Sequence, residues 1–139
     1  MKNRAFATLG LLALLATASA FGQQRMTVDI PFEFSTGTAV MPAGQYSVTQ
    51  SLDSGRISLA CDACQVSGRF LTHAVGSYTA LNESGRLTFN KCGDTYFLAS
   101  VWLPGSGVGS ALPTSRNERE TALRASLTPT NQVVLVARR

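Results

Sequence analysis

Leu87 to Leu103 reads LTFNKCGDTYFLASVWL, and the fold follows from this stretch. Gly93-Asp94 divides it into two apolar runs. A two-residue loop that opens on glycine suits a type II′ hairpin, whose twist matches that of its flanking strands. That register sets Asn90 opposite Phe97, Phe89 opposite Leu98 and Thr88 opposite Ala99. Strict alternation puts Phe97, Ala99, Val101 and Leu103 on one face of the second strand, with Tyr96, Leu98 and Trp102 on the other. A strand that is apolar on both faces is covered on both. It is therefore expected at the centre of its sheet, with a second layer over its other side.

The segment that follows offers such a cover. Gly105-Ser106-Gly107-Val108-Gly109 reads as a flexible connection, because it follows no βαβ unit and lacks the spacing of a phosphate-binding loop. Ser115 and Glu118 have the S-x-x-E spacing of a capping box, in which each side chain satisfies the other's free backbone N–H. The spacing predicts one short helix over about 115–126, stopped by Pro129. Its apolar residues Ala122, Leu123 and Ala125 suffice to dock it on a surface, though not to hold it as an isolated helix. Gln132 to Ala137 supplies a last strand.

Towards the N-terminus the same period of two recurs. Met26, Val28, Ile30, Phe32 and Phe34 share one parity, while Thr27, Asp29 and Glu33 share the other. Pro31 lacks a ladder donor, so this strand is an edge strand or is bulged. Pro42-Ala43-Gly44 reads as a type I turn with glycine in the left-handed position, and Tyr46 and Val48 continue the next strand. Arg56 to Cys61 and Val66 to Val75 form an antiparallel pair, and Tyr78 to Leu81 a shorter strand before the turn cluster Asn82, Ser84 and Gly85. The expected fold class is all-β, a small antiparallel sandwich or partly open barrel with one short C-terminal helix. Residues 26–139 form a single β-rich domain.

The first 20 residues read as a signal peptide. Lys2 and Arg4 precede the apolar run Leu9 to Ala16, and Ala18-Ser19-Ala20 gives the small-x-small pattern of a cleavage site. Cleavage after Gly22 satisfies a similar pattern. The run is well short of the roughly 20 apolar residues of a membrane helix, so no integral membrane span is expected after cleavage. The expected location is periplasmic or extracellular. Removal of Lys2 and Arg4 also makes the mature chain less basic than the +4 of the whole. The remaining arginines are scattered, without the basic stripe and interleaved aromatics of a nucleic-acid binder, so no nucleic acid is expected as a partner.

Cys61-Asp62-Ala63-Cys64 is the sharpest motif. C-x-x-C serves redox chemistry when it opens a helix after a strand, where the thiol pKa falls; here it joins two strands. A c-type haem site needs histidine after the second cysteine, and Gln65 stands there. A zinc site needs about four ligands, and Cys61, Cys64, Cys92 and His73 are the whole inventory. A structural disulfide is the plainer reading in an oxidising compartment. Cys61 and Cys64 flank what reads as a two-residue hairpin turn, where facing Cα atoms lie about 5.5 Å apart and within bridging range. Cys92 is the alternative partner. A bridge to it would stabilise by about 3.5–4 kcal/mol in the chain-entropy model, against about 2 for the short loop. By parity, however, Cys92 lies with Thr88 and Asn90, away from Leu87 and Phe89, so Cys61–Cys64 is preferred.

His73 shares parity with Leu71 and Val75 and reads as a sheet histidine rather than a base. No nucleophile elbow or H-E-x-x-H is present, and no second catalytic partner can be assigned to Asp29 or Glu33. No catalytic residue, metal or cofactor is therefore expected, and the chain is not expected to be an enzyme.

Val28-Asp29-Ile30-Pro31-Phe32-Glu33-Phe34, Pro42-Ala43-Gly44-Gln45-Tyr46-Ser47-Val48, Gly93-Asp94-Thr95-Tyr96-Phe97-Leu98, Val101-Trp102 and Leu112-Pro113 with Ser115 and Glu118 together resemble an uncharacterised family of small exported bacterial proteins. The resemblance covers roughly Met26 to Arg124 and implies no activity or ligand. It does imply that the cysteines are particular to this chain, since an aromatic residue commonly stands in that family where Cys92 stands here. The expected function is a non-enzymatic envelope or extracellular module for binding or structure. The alternatives are a thiol-disulfide or metal-handling protein using Cys61 and Cys64, and a barrel that binds a small apolar ligand with Tyr96 and Trp102 near its mouth.

Overall fold

A computed structural model describes residues 24–37, 39–51, 53–76, 84–125 and 131–137. The expected signal peptide, the strand at Tyr78 to Leu81 and the end of the helix beyond Ala125 lie outside these residues. Two sheets pack face to face. Sheet A has the order β1-β4-β5-β6, formed by β1 (Gln24–Ile30), β4 (Gly44–Ser51), β5 (Arg56–Cys61) and β6 (Val66–Leu71). Sheet B has the order β11-β8-β9-β10-β7. Its strands are β7 (His73–Gly76), β8 (Arg86–Cys92), β9 (Thr95–Trp102), β10 (Val108–Ala111) and β11 (Asn131–Val136). The short β2 (Phe34–Thr36) adds to β9 in parallel and pairs with β3 (Ala39–Met41). Among the described residues there is no closed barrel, so the fold is a sandwich with one short helix, α1 (Arg116–Arg124).

The period of two builds the interior. Val28, Ile30, Tyr46, Val48, Ile57 and Leu59 project from sheet A and are essentially without solvent exposure. Leu87, Phe89, Leu98, Val101 and Leu103 meet them from sheet B in one continuous core. Each such side chain stabilises the fold by about 1.5–3 kcal/mol through removal of apolar surface from water. A buried polar link also crosses between the sheets, where the Gln50 amide donates to the Ser110 hydroxyl at 2.7 Å.

The strand expected from Met26 to Phe34 breaks where its proline stands. Ile30 is the last rung of β1, opposite Gly44. Pro31 to Glu33 then step out of the ladder, and Phe34 re-enters as β2 beside Tyr96 in the other sheet. A residue with no N–H can end a ladder without leaving a donor unpaired, so β1 is an edge strand and its extension changes sheets. The run Val66 to Val75 divides similarly at Thr72. The Thr72 N–H and hydroxyl both donate to the Gly55 carbonyl, at 2.8 and 3.1 Å, and the chain passes from β6 in sheet A to β7 in sheet B.

The β8–β9 hairpin has the expected turn, with Gly93 at φ +62° and Asp94 not in the left-handed region. Asn90 faces Phe97 and Phe89 faces Leu98 as expected, but Thr88 faces Ser100. Ala99 is an extra residue, a β-bulge, and a bulge reverses parity beyond it. Tyr96 and Leu98 therefore share the inner face with Val101 and Leu103, where strict alternation would have separated them. Phe97 and Trp102 share the outer face with Cys92, buried but apart from the inter-sheet core. Strand β9 is central and covered on both sides, as its composition requires.

The outer cover at the hairpin is α1. Ser115 caps it, its hydroxyl accepting from the Glu118 N–H at 3.0 Å. The reciprocal half of the capping box gives way to a tertiary contact, because the Glu118 carboxylate accepts from the Asn90 side chain at 2.9 Å. Glu118 is the helix residue that becomes buried, whereas Leu123 is 79% exposed. The helix thus docks through a polar residue, with Ala122 and Ala125 half-buried and Leu123 of the expected apolar set left in solvent.

Candidate functional site

Tyr96 begins the site that the sequence marks, and its neighbours come from segments distant in the chain. The Pro31–Glu33 crossover brings the Phe32 ring onto Tyr96, with centroids 3.9 Å apart and planes 16° from parallel. Phe32 also sets its edge against Phe89 at 5.1 Å, which ties the pair to the core. The Lys91 ammonium lies 5.4 Å from the Tyr96 centroid, a cation–π distance. These groups adjoin a cleft of 370 Å³ lined by Phe32, Glu33, Val40, Asp94, Tyr96 and Asn117, among others. Glu33 and Asp94 are exposed, as is Val40 at 62%. The cleft thus offers an aromatic and aliphatic surface bordered by two carboxylates and an amide. Of these, the sequence pointed only to Tyr96 as part of a binding surface. The useful signal was Pro31: a proline inside an alternating run marks where the chain leaves the ladder and frees the residues after it.

Trp102 does not join this site. Its partner across the hairpin is Arg86, whereas that of Tyr96 is Lys91. Lys91 and Arg86 differ in parity on a strand without a bulge, so Tyr96 and Trp102 lie on opposite faces of sheet B. The Arg86 guanidinium lies 4.9 Å from the centre of the indole. Gly109 presses on the ring from β10, and a Cβ built there would lie 2.5 Å from Cε2. Two residues of the expected flexible connection, Val108 and Gly109, belong to strand β10, and the last glycine makes room for the tryptophan. With 7% exposure Trp102 is a packing residue, and the shared ligand surface of Tyr96 and Trp102 is not formed.

Cys61 and Cys64 form a disulfide with Cα atoms 5.2 Å apart. They do not face one another across a two-residue turn. Cys61 pairs with Val66 at the end of β5, and Cys64 sits within the four-residue loop 62–65, where Gln65 takes φ +54°. Cys61 is buried and bridged in a β-hairpin, without the helix N-terminus that activates a redox cysteine. The bridge packs on Gly44, whose Cβ, if present, would stand 2.6 Å from Cys64 Sγ and 3.0 Å from Cys61 Sγ. Gly44 is not in the left-handed region, so space rather than the expected turn conformation explains it.

Cys92 is free and fully buried under α1, on the face of β8 away from Leu87 and Phe89 that its parity requires. Burial pushes its thiol pKa up, and the nearby Glu118 charge raises it further. His73 is exposed on β7, paired with Ala111. Among the described residues, no three His, Cys, Asp or Glu side chains are grouped to hold a metal ion. Asp29 and Glu33, expected on one strand face, separate at Pro31: Asp29 stays on the outer side of β1 and Glu33 goes to the cleft.

The fold and cleft define a two-sheet β-sandwich with an aromatic-lined recess where the chain crosses between its sheets. Comparison with protein-family models, curated proteins and solved structures finds no match.

Proposed function

We propose that this protein is an exported, non-enzymatic binding module that takes a small, ring-bearing apolar ligand with a cationic or hydrogen-bond-donating edge at the Phe32–Tyr96 cleft. One observation carries the reading: a stacked aromatic pair, held by the core, adjoins a recess bordered by Glu33 and Asp94. Ligand sites are commonly concave and mainly apolar, with a few polar groups that set orientation. The rings would contribute apolar contact, and the carboxylates would select against anionic ligands. The signal-like N-terminus supports an extracytoplasmic location, where a disulfide such as Cys61–Cys64 persists. Mass spectrometry of small molecules that copurify with the protein from its native compartment tests the reading. The expected result is a stoichiometric species that Tyr96→Ala loses and Trp102→Phe retains. Equal retention by the Tyr96 variant would overturn the assignment to this cleft.

A further inference from the structure

The outer face of sheet A carries a second recess, built from none of the residues of the cleft. It has a volume of 370 Å³ and is lined by Thr49, Ser51, Ser54, Arg56, Ser58 and Arg69. Strand pairing explains how they converge. Thr49 faces Ser58 and Ser58 faces Arg69, forming one row across three strands. Ser51 faces Arg56 in the next row. Arg56 and Arg69 are thus diagonal neighbours, with backbones about 7–8 Å apart, within reach of one another's long side chains. Ser54 enters from the β4–β5 turn. Arg25, opposite Thr49, extends the same row on the other side.

The lining has four hydroxyls and two guanidinium groups but no carboxylate. Asp53, in the same turn, is exposed and is not part of it. The one ion pair within 4 Å among the described residues is Arg116–Glu120, on the helix. Two like charges set diagonally on a sheet, neither of them in an ion pair, repel each other, and an anion bound between them would offset that repulsion by attracting both. Guanidinium has only donors to offer, in a planar fork that matches the oxygens of a phosphate group, while serine and threonine hydroxyls can donate to the remaining ones.

We infer that this recess is an oxyanion site for the phosphate group of a small soluble ligand, with Arg56 and Arg69 as its two cationic forks and Thr49, Ser51, Ser54 and Ser58 as its neutral donors. The occupant is a soluble phosphate ester and not a membrane: the donors line a recess of 370 Å³, room for a small ester, and the aliphatic side chain exposed beside them is Leu71, opposite Arg56.

Inorganic phosphate is the probe, titrated at constant ionic strength into isotope-labelled protein and followed by amide chemical shifts. Saturable shifts are expected at residues 49, 51, 54, 56, 58 and 69. Arg56→Gln and Arg69→Gln should each weaken binding about tenfold, the scale of one lost charge-assisted bond. Arg56→Lys, which keeps the charge and loses the fork, should fall between. Arg116→Gln, on the helix, should leave the affinity unchanged. Both lining arginines are exposed, so unchanged thermal unfolding will verify that the variants fold. Unsaturable shifts spread over all arginines would overturn the site. So would capture by phosphatidylglycerol vesicles in the absence of saturable phosphate binding.

Discussion

The Asn90 side-chain amide donates to the Glu118 carboxylate at 2.9 Å, joining α1 to the outer face of β8. The same glutamate gives its backbone N–H to Ser115, so one residue both completes the cap and docks the helix. Glu118→Ala should leave the Asn90 amide without its partner and cost about 1–3 kcal/mol. Glu118→Gln keeps an acceptor and should cost less. A double-mutant cycle with Asn90→Ala measures the coupling, and strict additivity would show that the pair does not hold the helix.

Val101 and Thr27 provide a test of the core. Val101 has no exposed surface, whereas Thr27 is on the outer face of an edge strand. Val101→Ala should destabilise by about 2 kcal/mol through lost contact and the cavity left behind. Thr27→Ala should remain within about 0.5 kcal/mol of wild type. Denaturant unfolding compares them directly, and equal effects would place the core elsewhere.

Cys92 should be the single reactive thiol per chain under denaturing, non-reducing conditions, and unreactive in the native protein. Its raised pKa means that the folded state holds the thiol proton more tightly than the unfolded chain does. The resulting stability is complete below the ordinary thiol pKa and is lost as pH rises beyond about 9. Tyr46, whose phenol is also pushed up by burial, extends that loss to pH above about 10. Cys92→Ala should remove the first phase of alkaline destabilisation and leave the second. A wild-type stability that is flat from pH 8 to 11 would contradict this.

Gly44→Ala should be strongly destabilising, because the added methyl would meet both disulfide sulfurs. Breaking that contact by Cys61→Ala with Cys64→Ala should relieve part of the penalty. If Gly44→Ala costs the same with and without the bridge, the sulfurs are not the obstacle.

Much of this architecture was legible in neighbouring residues. Alternation at Met26 to Ile30 and Arg56 to Cys61, glycine at the head of the Gly93-Asp94 loop and serine before the helix are local signals, each with a local physical cause. The central place of β9 was legible too, since a strand apolar on both faces has no favourable position at an edge. The pairing of Cys61 with Cys64 followed from closeness in the chain, although the shape of their loop did not.

The tertiary structure decided which residues meet. Ala99 bulges out of the ladder, and that one extra residue sends Tyr96 and Trp102 to opposite faces. Phe32 reaches Tyr96 because Pro31 releases the chain from one sheet to the other. Gly44 and Gly109 are glycines because of the disulfide and indole that press on them, neighbours far away in sequence. The Glu118 side chain forgoes its half of the capping box and becomes buried because Asn90 offers it a donor from β8. The sequence by itself determined the strands, their turns and the two-faced burial of β9, all of which depend on residues within a few positions. Bulge parity, sheet crossover and side-chain partnership depend on the atoms packed against each residue, and so they arise only when the two sheets close.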